Sequence, residues 1–468
     1  MAPKRSGPHS RPQPGGAAAW TLAAALWVPS VTQAEVPPPL DAGERQTDGF
    51  GSLFVAPTQI VEAIDIRGNR KTRPEVVRRR MSIEPGELVD DRALDESRLR
   101  LLGTGYFSDV EFRLERGSRR GFVVLVVEVE ERNTLVVEQI YLGTSRVSPV
   151  FASLGVVDTH FLGRGITVGG TAAAGDGRQA LELRFFVPSL ARSRLQLSAS
   201  MILLRGAELL DSDQPEGQSL EYERIGGTLG LGFSVGAAQR VTMLYRLESI
   251  GADRLPNLSP SLLRAAPSIL FDDSVLSTLS LAYERDTRND PFVPTKGLLL
   301  TATAEVGTSL LGSDYEFSKY FADFSIAFEP FRGHSLSLKA VGGLVQGQTP
   351  FFNQFFIGDH TYVAFGRDSL PRAVQLNFSE HNDYDDLLLG GGAEYAVPLH
   401  RGRGFFRRIY LYGGIEAVAT ASLDELQEDP TGRNIGGFFP LSFDVGLKLD
   451  TFAGTFTLSS AYIVELIL

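Results

Sequence analysis

The 468-residue chain contains no cysteine, so neither a disulfide framework nor a thiolate metal site is possible. Its 6 histidines do not follow a metal-binding pattern such as HExxH, and we expect no metal site and no cofactor. An excess of basic residues is also missing, because the formal net charge is -11, and this argues against a nucleic-acid partner. Catalytic triad patterns and phosphate-binding loops are absent as well, so we do not expect an enzyme.

Long hydrophobic runs are absent too. No apolar run of about 18 residues follows residue 34, which argues against a membrane protein built from helices. The hydrophobic fraction of 43% and the mean hydropathy of -0.01 are those of a soluble protein. Transmembrane β-barrels share such averages, because lipid-facing and lumen-facing residues alternate along each strand. The 49 glycines and 30 phenylalanines suit bent strands and aromatic rings at membrane interfaces.

Residues 1–34 have the pattern of a signal peptide. Lys4 and Arg5 precede an apolar run at residues 17–28, and a small-residue cleavage site ends at Ala34. The apolar run is only about a dozen residues long, which favours cleavage over an uncleaved membrane anchor. Residues 35–57 are proline-rich and predict a linker without its own core. We therefore expect an exported protein.

Residues 58–133 predict a small α+β domain. The predicted order is strand, helix, helix, strand, strand, over residues 60–67, 74–81, 91–102, 107–114 and 121–130. Gly68 and Gly105 stand at turns between these elements, and Pro74 begins the first helix.

From residue 134 onward the hydrophobic pattern has a period of two. Apolar and polar side chains alternate in residues 181–185, 298–306 and 320–329. Strands that are apolar on one face and polar on the other fit the wall of a transmembrane barrel. A soluble sandwich also alternates, but its connections show no systematic sidedness.

The connections between the predicted strands differ in length at the two ends of the barrel. Those at one end are mostly short, such as 188–193 and 330–334, whereas most at the other end are long, such as 250–274 and 347–384. Outer-membrane barrels have short periplasmic turns and long external loops. We therefore predict that residues 134–468 form an all-β, antiparallel transmembrane β-barrel of about 16 strands.

Four segments of the chain resemble motifs of a known family. They are residues 105–110 (GYFSDV), 159–165 (THFLGRG), 286–297 (DTRNDPFVPTKG) and 355–398, which begins FFIGDHTYVAFGRDSLPR. The family is the BamA/TamA outer-membrane assembly superfamily, in which bacterial surface antigen barrels follow periplasmic POTRA domains. The resemblance implies one POTRA domain at residues 58–133 and a barrel with a long loop folded into its lumen. Our count of about fifteen wall strands falls one short of the family's sixteen, whereas bacterial barrels normally have an even number.

The resemblance also implies a set of site residues. In the POTRA-like region these are Gly68, Gly105, Tyr106 and Phe107. In the turn at residues 286–297 they are Asp286, Asn289, Asp290, Pro294 and Gly297. Aspartate and asparagine accept bonds from backbone donors in tight turns, while proline and glycine set the backbone path. We expect the role of this turn to be structural.

The loop motif departs from the family pattern at its charged residue. In the family an Arg-Gly-aromatic triplet follows an aliphatic residue, and the arginine reaches an acid on a later strand. Here Val363 is followed by Ala364, Phe365 and Gly366, and Tyr412 stands where the acid is expected. Joint loss of both partners is physically reasonable, since a lone charge in a partly desolvated lumen is unfavourable.

Arg367 is a candidate substitute for the missing arginine, with Glu416 or Glu394 as its partner. In the alternative, Phe365 packs the loop down without an ion pair. Both alternatives stay open, because stability does not require a desolvated ion pair.

The resemblance implies an outer-membrane barrel, with its POTRA domain in the periplasm, that assists insertion or translocation of proteins. The expected partners are outer-membrane lipids, unfolded outer-membrane or secreted client proteins, and periplasmic or lipoprotein accessory factors. An exposed POTRA strand edge can pair with extended clients by β-augmentation. Two alternatives are a secretion barrel dedicated to one passenger and a passive porin or structural barrel.

Overall fold

A computed structural model gives the fold of the chain. It describes residues 23–25, 59–102, 104–143, 150–176, 178–190, 193–209, 219–235, 238–253, 268–290, 292–357, 383–402, 404–423, 439–451 and 454–466.

The first folded unit is an α+β domain. Its elements are β2 (Ile60–Arg67), α1 (Pro74–Arg78), α2 (Asp91–Leu102), β3 (Phe107–Arg116) and β4 (Phe122–Glu131). The strands form one sheet in the order β2-β4-β3, in which β2 is parallel and β3 antiparallel to the central strand. The core between helices and sheet includes Val61, Val77, Leu101, Leu125 and Val127.

The first helix is shorter than predicted. It ends at Arg78 rather than at residue 81, because the amide of Arg80 bonds to the carbonyl of Val77 and that of Met81 to Arg78. Such i to i-3 bonds tighten the last turn out of the α-helical pattern.

The second unit is a large antiparallel sheet. Its long strands are β5 (Leu135–Gly143), β6 (Phe151–Phe161), β7 (Ile166–Gly175), β8 (Arg178–Val187), β9 (Leu195–Leu209), β10 (Ser219–Ser234), β11 (Gln239–Ala252), β12 (Asp272–Asp286), β13 (Gly297–Gly307), β14 (Glu316–Phe328), β15 (Ser335–Gln348), β18 (Leu387–Arg401), β19 (Phe406–Ala421), β20 (Phe439–Thr451) and β21 (Gly454–Leu466). Each pairs with the next, and a three-residue strand, β1 (Ala23–Ala25), pairs with β21 and makes the sheet sixteen-stranded. Two short strands, β16 (Phe355–Ile357) and β17 (Asp383–Asp385), form a separate pair.

The two faces of this sheet differ as the alternation predicts. Large apolar side chains are exposed on the outer face, among them Leu229 and Leu281. Polar and charged side chains such as Arg224 and Glu248 are buried on the inner face. The prediction of an antiparallel β-barrel that follows a small α+β domain is therefore confirmed. Neither of the described helices has the length or the apolar run that a membrane crossing needs.

Candidate functional site

Three buried charges form the centre of the inner face. Arg224 on β10 donates from Nε to Oε2 of Glu248 on β11 at 2.9 Å, and its Nη2 lies 2.8 Å from the same oxygen. Arg246 donates from Nε to the other oxygen, Oε1, at 2.6 Å. The Arg224 side chain has 0% exposure. One carboxylate thus shares its two oxygens between two guanidinium groups, which is the geometry that makes buried charge tolerable.

A glycine makes room for this cluster. Gly226 lies opposite Glu248 in the register of β10 and β11. A Cβ on Gly226 would lie 2.6 Å from Cγ of Glu248. Any larger residue would push the carboxylate away from Arg224.

The segment of residues 349–357, which we call the anchor segment, lies against this cluster. The ring of Phe352 is 3.9 Å from Cζ of Arg224, within the range of a cation–π contact. Arg246 donates from Nη1 to Oδ1 of Asn353 at 3.1 Å, and Lys319 on β14 donates to the carbonyl of Asn353 at 2.8 Å. The anchor segment is therefore held by charged groups of β10, β11 and β14.

Further contacts fix both ends of the anchor segment. The amide of Phe351 donates to the carbonyl of Ser268 at 2.6 Å. At the other end β16 pairs with β17, and Gln354 donates to Oδ1 of Asp386 at 3.0 Å. The ring of Phe355 is fully buried over Gly343 on β15, where a Cβ would lie 2.1 Å from its Cζ. The chain on both sides of residues 358–382 is thus bound to the inner face of the barrel by hydrogen bonds and packing.

A second charged cluster lies on the inner face of β15 and β18 to β20. Lys339 is 3.2 Å from Glu416 and 3.9 Å from Glu394. Lys448 donates to Glu394, and its Nζ lies 4.9 Å from the centre of the Tyr412 ring. Both glutamates therefore already have lysine partners, which come from two other strands.

Below the central cluster the inner face leaves a cavity of about 460 Å³. Its polar lining comes from β7 to β13 and includes Glu182, Arg184, Ser198, Thr228, Arg240 and Glu284. The barrel interior thus leaves space for small molecules beside these polar and charged side chains.

The turn at residues 286–297 folds back toward the interior at that end. Asn289 accepts from the amides of Thr295 and Lys296 at 3.0 Å, and Asp290 accepts from the amide of Phe292 at 2.8 Å. Its apolar members Phe292 and Val293 are buried together with Ala396, Tyr410 and Tyr412. This turn therefore packs against the inner wall.

Two charged contacts and one glycine complete the turn. Asp286 pairs with Arg288 at 2.7 Å, and Asp290 pairs with Arg408 of β19. Gly297 has a φ of 96° and would place a Cβ 2.1 Å from the carbonyl oxygen of Thr287, so glycine is required there. The carbonyl of Pro294 accepts from the hydroxyl of Ser335. The structural role expected for this turn agrees with these contacts.

The junction between the α+β domain and the barrel is built around His160. Its Nε2 lies 3.0 Å from the Thr72 hydroxyl, and its Nδ1 accepts from the amide of Gly165 at 3.0 Å. The ring of Tyr106 stacks on it at a centroid distance of 3.9 Å. Gly163 has a φ of 67°, and a Cβ there would lie 1.7 Å from the carbonyl oxygen of Lys71. The predicted motif residues Tyr106 and Phe107 are both buried, and Tyr106 contacts the barrel directly.

Charged groups surround the same junction. Lys71 lies 3.1 Å from Asp158, which also accepts from the hydroxyl of Thr134 at 2.7 Å. The carboxylate of Glu131 accepts from the amides of Lys71 and Thr72 at distances of 2.5–3.0 Å. Burial alone would raise the pKa of Glu131, but the hydrogen bonds from Thr72, Lys71 and Arg70 lower it below its ordinary value. Glu131 is therefore ionised at neutral pH.

Comparison with known protein families shows which family the chain belongs to. A profile described as the Omp85 superfamily domain matches residues 160–402, which is more than half of the chain. The chain belongs to the Omp85 superfamily. A second profile, described as POTRA, surface antigen variable number repeat, matches residues 59–132 of this Omp85 protein. The expectation of an outer-membrane β-barrel with a periplasmic POTRA domain is confirmed.

Two relatives are similar in sequence to parts of this Omp85 chain. It is 26% identical over 318 residues to the outer membrane protein assembly factor BamA of Nitratidesulfovibrio vulgaris, covering 67% of this chain and 38% of that protein. It is 31% identical over 134 residues to a SAM50-like protein of Schizosaccharomyces pombe, covering 25% of this chain and 28% of that protein. The aligned parts thus span less than two fifths of either relative.

Two solved structures share the fold. BamA from Haemophilus ducreyi lacking POTRA domains 1-3 has a TM-score of 0.57 at 14% identity, covering 88% of this chain and 81% of that one. CdiB from Escherichia coli has a TM-score of 0.57 at 10% identity, covering 86% and 77%. At these identities the likeness concerns the fold alone.

Among the described residues, no group of histidine, aspartate and glutamate side chains could hold a metal ion.

The predicted loop residues Val363, Phe365, Gly366 and Arg367 lie outside the described residues. Their possible partners Glu394, Tyr412 and Glu416 all contribute to the second cluster. A pair between Arg367 and Glu416 or Glu394 stays a prediction.

The sequence motifs do not include the central cluster of Arg224, Arg246 and Glu248. A signal was present, since each charge stands at a position that the alternation assigns to the lumen. The contact with Asn353 could not be foreseen, because it joins residues 107 apart in the chain.

Proposed function

We propose that this Omp85 protein assists the insertion or translocation of proteins at the bacterial outer membrane, with the edge of β21 as the template for a client strand. The observation that carries the proposal is the seam of the barrel. In the described part of the chain β5 and β21 are not paired with each other. The edge of β21 pairs instead with β1, in a register that joins Ala23 to Ser459 and Ala25 to Thr457, and β1 also contacts β5.

An unpaired edge has a physical consequence in a membrane. Free backbone N–H and C=O groups cannot face lipid without a large penalty, so an open edge attracts an extended segment. Residues 23–25 fall inside the predicted signal peptide of residues 1–34. Once that peptide is cleaved, the edge of β21 is available to a client.

The POTRA domain supplies the second element of the proposal. In its sheet β2 and β3 are edge strands, and an edge of this kind accepts an extended chain by β-augmentation. Unfolded outer-membrane or secreted proteins are the proposed clients. Outer-membrane lipids surround the barrel, and periplasmic or lipoprotein factors are proposed accessories.

The lumen contacts favour insertion at the seam over free passage. The anchor segment touches Arg224, Arg246, Lys319 and Gly343, which come from four different strands. It therefore lies across part of the interior that a secreted passenger or a porin substrate would have to pass. A dedicated secretion barrel and a passive porin remain the alternatives that the experiment must separate.

The test uses the absence of native cysteine. Single cysteines replace Leu458 on β21 and, as a matched control, Met243 on β11, which are both exposed on the outer face. Each variant is reconstituted in liposomes with an unfolded outer-membrane protein that carries one cysteine in its last strand. We expect faster client folding, measured by heat-modifiable gel mobility, and disulfide formation at Leu458→Cys only.

Other outcomes would overturn the proposal. Equal cross-linking at both positions, or faster folding without any cross-link, would exclude β21 as the template. Delivery of a soluble passenger into the liposome interior without cross-linking would identify a secretion barrel. Unchanged client folding together with free solute flux would identify a porin.

A further inference from the structure

Two neighbouring turns at the periplasmic end form a joint surface. One joins β14 to β15 at residues 329–334, and the other joins β18 to β19 at residues 402–405. Because β15 pairs with β18, with Leu336 opposite Tyr395, the two turns lie side by side. They also touch, since a Cβ on Gly333 would lie 2.8 Å from Nη2 of Arg401.

Apolar side chains on and beside these turns are exposed. Phe331 is 66% exposed, Phe405 57% and Leu399 58%. Behind them His334 is bonded to the hydroxyl of Tyr395 at 2.7 Å and meets the Phe331 ring edge-on at 5.6 Å. Aromatic rings at this level, just beyond the lipid-facing part of the strands, belong to the membrane interface.

Arginines accompany these rings. Arg332 and Arg401 are exposed and Arg407 is half-buried, and neither Arg332 nor Arg407 has an ion-pair partner within the described residues. Arg401 interacts electrostatically with Glu329, which also accepts from the amide of Gly333 at 2.7 Å and lies 3.7 Å from Lys296. In a chain with a net charge of -11, this surface therefore carries more positive than negative charge, since Arg332, Arg401 and Arg407 outnumber Glu329.

We infer that these six residues, Phe331, Arg332, Leu399, Arg401, Phe405 and Arg407, bind the headgroup of an anionic phospholipid in the periplasmic leaflet of the outer membrane. We call them the rim patch. Guanidinium groups bind phosphate oxygens in pairs, and basic clusters beside a membrane select anionic lipids. The exposed rings enter the acyl boundary beneath the headgroup, so charge and apolar surface match the two parts of one lipid. This site does not depend on the proposed client function.

Native mass spectrometry of the delipidated full-length protein in detergent tests the inference. Phosphatidylglycerol and phosphatidylethanolamine are added separately to the wild type and to a variant with Arg332→Gln, Arg401→Gln and Arg407→Gln. We expect the wild type to bind phosphatidylglycerol more tightly than phosphatidylethanolamine. The variant should lose at least about tenfold in affinity for the anionic lipid.

The control carries the same loss of charge elsewhere, as Arg116→Gln, Arg120→Gln and Arg205→Gln, all at exposed positions. It should bind the anionic lipid like the wild type. Equal loss in the control, or equal binding of both lipids by the wild type, would overturn the inference. Full displacement of the lipid by inorganic phosphate would also overturn it, since a site for free phosphate needs no rings. If the triple variant does not fold, Arg332→Gln alone must still reduce binding.

Discussion

The imidazole Nε2 of His160 lies 3.0 Å from the hydroxyl of Thr72, and this contact joins the first periplasmic turn of the barrel to the POTRA domain. The opposite ring nitrogen, Nδ1, accepts from the amide of Gly165. An accepting Nδ1 places the proton of a neutral ring on Nε2, which therefore donates to Thr72. Tyr106 stacks on the same ring, so two contacts of His160 join the POTRA domain to the barrel.

Replacement of His160 by alanine should loosen this junction. The hydroxyl of Thr72 and the amide of Gly165 would lose their partners, at a cost of about 1–3 kcal/mol each where they stay buried. Spin labels on cysteines at Arg92 in α2 and Lys296 in the barrel turn report the distance between the two units. We expect a broader distance distribution in His160→Ala, whereas His400→Ala, at an exposed histidine, should leave it unchanged. A narrow distribution in both variants would contradict a fixed junction held by His160.

Glu131 should make the same junction sensitive to acid. Its pKa in the folded protein is lowered, so its stabilising contribution is full at neutral pH and is lost as the pH falls through that lowered value. This window lies below the ordinary glutamate pKa of about 4.3. The label pair at Arg92 and Lys296 should therefore show a broader distance distribution as the pH falls through that lowered value. In Glu131→Gln the distribution should be broad already at neutral pH, and a wild-type response in that variant would exclude the carboxylate as the cause.

Neutralisation of Glu248 should destabilise the barrel strongly. Glu248→Gln removes the counter-charge of the buried Arg224 and leaves Arg246 with the more distant Glu305 at 3.7 Å. Breaking a buried pair in this way typically costs roughly 3–5 kcal/mol. Glu223→Gln is the matched control, since Glu223 pairs with Arg205 at 3.5 Å on an exposed surface and should contribute at most about 1 kcal/mol. Urea unfolding in detergent, followed by heat-modifiable gel mobility, measures both. Equal midpoints would mean that the cluster does not stabilise the barrel.

Local patterns explain which parts of this molecule the sequence predicts. The period of two in residues 298–306 assigns each side chain to a face, because the pleat of a strand depends only on its own backbone. Partners across the sheet follow from register, which no single strand reveals. The pairing of Lys339 and Lys448 with Glu416 and Glu394 is of this second kind. For that reason the alternation gives no sign of the lysine partners of these acids, and a pair between Arg367 and either acid stays a prediction.

The motif residues show the same difference between local patterns, which the sequence reveals, and contacts between distant parts of the chain, which it does not. Tyr106 and Phe107 were identified as part of a domain motif, and both are buried in the structure. The stacking of Tyr106 on His160 could not be predicted, because it depends on how two folded units meet. The contacts of the anchor segment could not be predicted either. Its phenylalanines have no distinguishing pattern in the sequence, and the contact of Phe352 with Arg224 forms only when the barrel has folded.

The anchor segment should control the conductance of the barrel. Gly343 faces the lumen beneath Phe355, where a Cβ would lie 2.1 Å from the ring, so Gly343→Val must displace that ring. Gly342 pairs with the exposed Leu389 on the lipid face, and its nearest contact is 3.9 Å, so Gly342→Val is the control. In planar bilayers we expect small, flickering conductance from the wild type and from the control.

Conductance should increase in Gly343→Val and become large and steady when residues 347–384 are deleted. The deletion removes the contacts that the anchor segment makes with Arg224, Arg246 and Lys319. The conductances of these variants distinguish a lumen closed by the anchor segment from a lumen closed by other parts of the chain and from an open porin. Small conductance in the deletion variant would mean that other parts of the chain close the lumen. Large, steady conductance in the intact protein would favour a porin, since the anchor segment would then leave the pore open.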